Sequence, residues 1–166
     1  MALRNILEDG EPRLVKVSRP VTSFDERLHV LLDDMRETLI EAEGVGLAAP
    51  QVGVLRRAVL VLDTNKETDD PEEQIIELIN PEIVEMDGEQ TGPEGCLSVP
   101  GVFGMVTRPM NVTVKAQDRF GKEFTVSGTG LTARAFCHET DHLDGHLFTE
   151  FADHILTDEE KEEIMG

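Results

Sequence analysis

Apolar residues fall at helical spacing across residues 24–43, FDERLHVLLDDMRETLIEAE, where Leu28, Leu31, Leu32, Met35 and Leu39 share one stripe. Such a stripe is the core-facing side of an amphipathic helix. Ser23 and Glu26 stand at capping-box spacing before it, and Gly44 stands where a helix stops. His29 lies off the stripe and is expected at the surface. The pattern then changes. RAVLVLD (57–63) reads as a buried strand, followed by an acidic loop, TNKETDDPEEQ. IIELIN (75–80) and PEIVEMD (81–87) read as two strands broken at Pro81. Val112, Val114 and Ala116 alternate with polar residues, as do Phe124 and Val126 beyond DRFGK, which predicts a hairpin. Helical spacing returns from about Leu131 to Asp144 and ends at Gly145, and Thr157 with Glu160 caps a short acidic last helix. Strands come before the late helix, which predicts the α+β class. With no repeat and no Gly/Ser linker, one domain is expected over residues 1–166.

Composition narrows the setting. The 166 residues are 39% hydrophobic and 30% charged, with seven Phe and no Trp or Tyr, so the core rests on Leu, Ile, Val and Met. No apolar run approaches the ~20 residues of a membrane span. MALRNILEDGEPRL has acids by its tenth residue and no apolar signal region, so a cytoplasmic protein is expected. A net charge of −19 repels nucleic acid and anionic membrane, and neither is an expected partner. Two cysteines, Cys96 and Cys137, are few for a secreted disulfide scaffold and fit a reducing compartment. A monomer is the expected state.

Within FCHETDHLDG, His138, Glu139 and His142 spell H-E-x-x-H. Positions i and i+4 lie about 40° apart on a helix, so both imidazoles can reach one ion. A divalent ion brings the pKa of a bound water to around 7, and an adjacent carboxylate can take its proton. Two imidazoles do not complete a catalytic metal site. His146 follows Asp144-Gly145, beyond the helix, and is expected at the surface with His154. The metzincin extension fails because Phe148 occupies the position of its third His. Cys96, in the irregular GPEGCLSVPG, supplies the missing donor and leaves a fourth position open. A soft thiolate with two imidazoles admits iron, nickel or cobalt as well as zinc. Cys137 points about 100° away from His138 and is expected to be a packed thiol. GVGLAAPQVG lacks the Lys and Ser/Thr of a phosphate loop. Read alone, Gln51 within it is a turn residue, though its amide can donate to an oxyanion.

GVGLAAPQ, EGCLS and HETDH together resemble the three signature motifs of peptide deformylase, in the family's order, and the likeness runs along nearly the whole chain. The resemblance implies antiparallel sheets around a central helix that carries both His, with an N-terminal helix and a short C-terminal one. It implies a bacterial-type enzyme that removes formyl from N-formyl-methionyl peptides, with ferrous iron as the physiological metal and zinc supporting weaker activity. By position, Cys96, His138 and His142 become the metal ligands. Glu139 becomes the general base and then the acid, and Gln51 with the Leu97 N–H becomes the oxyanion donor pair. Val45, Gly46 and Gly95 would pair with the peptide backbone, and Leu131 with Ala135 would line the methionine pocket unless they are plain helix core. Glu94 is expected to pair with Arg108, although either can be solvated. An H-E-x-x-H peptidase and a non-catalytic metal-binding protein are the alternatives. One departure concerns the ribosome, on which some family members are thought to dock through a basic C-terminal helix. Here LTDEEKEEIMG is acidic, so ribosome contact through this tail is not expected.

Overall fold

The computed structural model describes residues 2–166. In chain order the strands are β1 (Gly46–Ala48), β2 (Ala58–Leu62), β3 (Ile75–Asp87), β4 (Gln90–Cys96), β5 (Val99–Arg108), β6 (Asn111–Gln117), β7 (Glu123–Thr129) and β8 (His154–Ile155). The helices are α1 (Glu26–Ala42), the one-turn α2 (Pro71–Gln74), α3 (Leu131–Leu143) and α4 (Asp158–Met165). This mixture of helices and antiparallel strands is the predicted α+β class.

α1 buries the stripe read from the sequence. Its start differs by two residues from expectation and its end by one. Asp25, not Ser23, is the N-cap, and its carboxylate accepts from the Leu28 N–H at 3.2 Å. A carboxylate there satisfies an orphan donor and complements the positive helix end. At the other end Glu43 rather than Gly44 turns left-handed, with φ 55°. His29 is half-buried rather than at the surface, its Nε2 2.8 Å from the Arg119 carbonyl oxygen.

A five-stranded antiparallel sheet has the order β1-β2-β3-β6-β7. α1 covers one face and α3 the other: Ala58 and Leu60 of β2 pack with the α1 cluster, while Val59 and Val61 pack with the α3 cluster. Alternate side chains of a strand face opposite sides, so a strand covered on both faces must be apolar throughout, as AVLVL of β2 is.

Pro81 does not break β3, contrary to the sequence reading. β3 pairs with β2 only through Ile79, and its register against β6 shifts between Ile79 and Glu82. Pro81 falls inside that irregularity, where a missing N–H costs no ladder bond. Asn80 before it has φ 52°, and its side chain bonds Val21 and Gln117.

The β4–β5 hairpin was not predicted. GPEGC, expected to be irregular, is paired strand up to Gly95, and the register shifts only at Cys96. Gly95 gives the Phe103 ring its place, since an added Cβ would lie 2.7 Å from Phe103 Cδ1. β4, β5 and β8 form a second sheet. It meets the Phe148 turn around Val99, Val106 and Leu147. The polar end of α3 lies between the two sheets' edges, and the site forms there.

Candidate active site

α3 begins at Gly130, whose φ of 62° and ψ of −123° suit glycine, and no side chain caps it. One turn of helix brings the two imidazoles together, with His138 Nε2 and His142 Nε2 3.2 Å apart. β4 delivers Cys96 Sγ to 3.4 Å from His142 Nε2. All three donor atoms lie within 4.8 Å of one another.

Neighbouring groups orient this cluster. His138 Nδ1 lies 2.7 Å from Glu94 Oε2. Glu94 also accepts from Arg108 Nε at 3.1 Å, Arg108 Nη2 at 2.7 Å and Arg134 Nη1 at 2.9 Å. Burial opposes its ionisation, but the bonds from His138 and Arg108 outweigh burial and hold the carboxyl at about 2. An ionised Glu94 only accepts, so His138 Nδ1 donates to it. In the neutral imidazole His138 Nε2 then turns a lone pair toward the other two donors. The Nδ1 atom of His142 has no protein partner among the described residues.

The cluster fits a cation. Burial works against charge on His138, yet the field of Glu139 and the bonds to Cys96 and Glu94 raise its pKa well above the ordinary range. His142 is pushed well below it by burial and by the neighbouring His138 charge. The surroundings therefore favour one positive charge among three donors, and sulfur with two imidazoles is a competent set for a divalent transition metal.

Glu139 faces the same space from beneath β1. A Cβ on Gly46 would fall 2.8 Å from Glu139 Cδ, so glycine is what lets the carboxyl lie against the strand. Glu139 is 2% exposed, and its Oε1 has no partner among the described residues. Burial pushes its pKa up to about 7, against the lowering field of His138. Gln51 is fixed through its oxygen, which accepts from the Ala48 N–H at 2.9 Å. That leaves Nε2 to donate to Ser98 Oγ at 3.0 Å and toward Cys96 Sγ at 3.5 Å. Cys96 Sγ also accepts from the Ser98 N–H at 3.4 Å.

These groups open on a cavity of about 420 Å³. Gln51, Cys96, Leu97, His138 and Glu139 line it, as do Val45, Gly46, Gly95, Leu131 and Ala135, while His142 lies behind. Every residue named from the sequence for this site is thus at the cluster or its cavity wall. Cys137 is not; it packs with Ala133 and Phe136, and burial pushes its thiol up to about 11. His146 and His154 are exposed, paired with Glu150 and Glu160.

Residues 3–157 match the pattern of the family described as polypeptide deformylase. The chain belongs to that family. Among similar curated proteins, the peptide deformylase of Caldicellulosiruptor bescii is 53% identical over 163 residues, covering 98% of this chain and 93% of its own. That of Lachnoclostridium phytofermentans is 54% identical over 168 residues, covering 98% and 100%. Among solved structures, a peptide deformylase from Legionella pneumophila has 44% identity and a TM-score of 0.83, covering 98% of this chain and 91% of that one. One from Thermotoga maritima has 37% identity and a TM-score of 0.84, covering 93% and 100%. The protein is a hydrolase of the deformylase type.

Some parts of this candidate site were missed in the sequence. Arg134 is buried and bonds both Glu94 and the Val106 carbonyl oxygen. A lone arginine inside the otherwise apolar ARAF was the available signal. Asp141 extends the network through Arg108 Nη1 at 2.7 Å. Ser98, wholly buried against Gln51 and Cys96, gave no distinguishing pattern.

Proposed function

We propose that this deformylase removes the formyl group from the N-terminal formyl-methionine of new polypeptides, with a divalent cation held by Cys96, His138 and His142. Ferrous iron is the metal proposed in the cell, and zinc, nickel or cobalt would fit the same donors in a preparation. The observation that carries this reading is the unpartnered Glu139 carboxyl beside three converging donors on one cavity wall. A cation held by these three residues would supply Lewis acidity toward a water and the formyl oxygen.

The chain's own residues do the rest. Glu139 takes the proton of the attacking water and returns it to the leaving amine, a task suited to a carboxyl whose pKa burial has raised toward neutrality. Oxygen adds to the formyl carbon and the C–N bond breaks, giving formate and a free amino terminus. Gln51 Nε2 and the Leu97 N–H donate to the oxyanion of the tetrahedral intermediate. Val45, Gly46 and Gly95 offer backbone partners to an extended peptide, in the manner of an added strand. Leu131 and Ala135 would take the methionine side chain. His138 keeps its orientation through Glu94.

In this reading the chain works as one domain and as a monomer in the bacterial cytoplasm. No helix among the described residues is long and apolar enough to cross a membrane. Lys161 is the one base of α4 against five acids, so contact with ribosomal RNA through that helix is not proposed. Formate release from a formyl-Met peptide by anaerobically prepared protein tests the reading, with metal analysis on the same sample. Formate with the peptide bonds intact supports it. Internal cleavage, or formate release unaffected by removing the metal, would sink it.

A further inference from the structure

The segment before α1 touches both loops that carry the proposed oxyanion donors. Gln51 belongs to a short 3-10 helix, Ala49–Val52, that follows β1 of the five-stranded sheet. Leu97 and Ser98 form the turn between β4 and β5 of the other sheet. Gln51 Nε2 links the two loops by donating to Ser98 Oγ. Outside the cavity, the Leu7 N–H donates to the Gln51 carbonyl oxygen at 2.7 Å, and the Asp9 N–H to the Ser98 carbonyl oxygen at 2.8 Å. A helix leaves its last carbonyls without partners of its own, and Leu7 supplies the one that Gln51 needs. Two residues of chain reach at most about 7 Å, so the two bonds limit how far the loops can part. The segment is itself pinned on either side. The Ala2 N–H donates to Asp34 Oδ1 at 2.7 Å and the Arg4 N–H to Thr38 Oγ1 at 3.0 Å, both on α1. Further on, Leu14 is buried, and the Ser18 N–H donates at 2.8 Å to the carbonyl oxygen of Leu143, next to His142.

We propose that Leu7 and Asp9 are positioning residues for the reaction: their backbone N–H groups set the spacing between Gln51 and the turn of Leu97 and Ser98, and so the aim of both oxyanion donors. The inference rests on the reading of Gln51 and Leu97 as those donors. Neither Leu7 nor Asp9 lines the cavity, so each acts through the carbonyl it holds. Donors stabilise a transition state only when they meet the oxyanion at hydrogen-bond distance, so a small displacement lowers turnover while leaving peptide binding in place.

Asp9→Pro isolates one of the two bonds. Asp9 is exposed and stands second in the turn 8–11, which the Glu11 N–H closes on the Glu8 carbonyl oxygen at 3.1 Å, with Gly10 third at φ 104°. The second position of such a turn favours proline, so the ring fits while its missing N–H removes the bond to Ser98. With the metal-loaded full chain and formyl-Met-Ala-Ser, kcat should fall about 10–100-fold. KM and metal content should stay within about twofold of wild type. Asp9→Ala keeps the N–H and should keep kcat. On a Gln51→Ala background one donor is left and no pair remains to be spaced, so Asp9→Pro should there change kcat by less than about threefold. If proline prevents folding, a backbone ester at position 9, which removes only the N–H, takes its place. Wild-type kcat in Asp9→Pro or the ester would overturn the proposal, as would an equal loss on both backgrounds. A wild-type kcat in Gln51→Ala removes the donor reading and the proposal with it, whereas a loss in Gln51→Ala beside an unmoved Asp9→Pro removes the proposal alone.

Discussion

α1 and α3 pack against opposite faces of the same sheet, yet they bury different chemistry. The inward face of α1 is Leu28, Leu31, Leu32, Met35 and Leu39; its two buried polar residues, Asp34 and Thr38, accept from the N-terminal segment at Ala2 and Arg4. α3 buries Arg134, His138, Glu139 and His142 among Ala and Phe. Removing charge from water is costly unless it is paired. Arg134 and His138 share Glu94, whose remaining partner is Arg108. Glu139 has no such partner for Oε1. A buried carboxyl oxygen left without a partner adds nothing to stability. Burial in α1 is apolar packing, whereas burial in α3 leaves Glu139 with a raised pKa and an unpartnered oxygen.

The sharpest break between the two helices should come from one substitution in each. Glu139→Ala should lower kcat by about 10³-fold, the middle of the range for a general acid–base. Metal content should stay at wild-type level and the melting temperature should not fall, because an unpaired buried carboxyl is removed. Leu32→Ala, at a side chain with no exposure, should instead cost about 2–5 kcal/mol of stability. Its kcat, measured well below its own melting point, should stay within about twofold of wild type. Turnover, metal analysis and urea melts on both variants decide the matter. If Glu139→Ala unfolds the protein, or Leu32→Ala silences a folded one, the division of labour is wrong.

Glu94 joins the two roles and should show an intermediate effect. Its carboxyl is held at about 2, below the ordinary carboxylate value. A depressed pKa means that its stabilisation is complete above the unfolded value, ~4.3, and is lost as pH falls toward 2. Glu94→Gln should therefore cost on the order of 3 kcal/mol at pH 7, and the gap to wild type should close on acidification. A gap as wide at pH 3 as at pH 7 would show that packing, not charge, is at work. The same substitution frees His138 Nδ1 from its fixed acceptor and should weaken metal affinity by about 10–100-fold.

The two helices were also legible in different ways. The α1 stripe and the H-E-x-x-H spacing are both periodic, and periodic signals survive in a single sequence. Cys96, which converges with the two imidazoles, was picked out by what the helix lacked, and the resemblance picked out Gln51 and Leu97, which line the same cavity. The β4–β5 hairpin escaped because Gly92, Pro93, Gly95, Pro100 and Gly101 hide its alternation, although Gly95 serves the close approach of Phe103. Pro81 misled for the opposite reason: a rule about ladders was applied where the ladder has a gap. Arg134 and Asp141 were missed because their roles depend on Glu94 and Arg108, which only the folded hairpin brings near.

The smallest contrast lies at the helix starts. α1 is held by the Asp25 carboxylate on Leu28 N–H, whereas α3 starts at Gly130 with no side-chain cap. Gly130 bonds instead through its backbone: its N–H donates to the Met110 carbonyl oxygen, and its own carbonyl accepts from Gln90 Nε2 at 2.8 Å. Asp25→Ala should thus cost about 1 kcal/mol of global stability, with amide exchange rising first at Leu28 and its neighbours. The φ of 62° and ψ of −123° at Gly130 lie outside the extended backbone from which a cap side chain reaches the first helix N–H groups, and a side chain there would add strain instead. Gly130→Ser should therefore destabilise, even though serine is the better N-cap by propensity. A stabilised Gly130→Ser would mean that α3 starts as α1 does, and that its sheet contacts are dispensable.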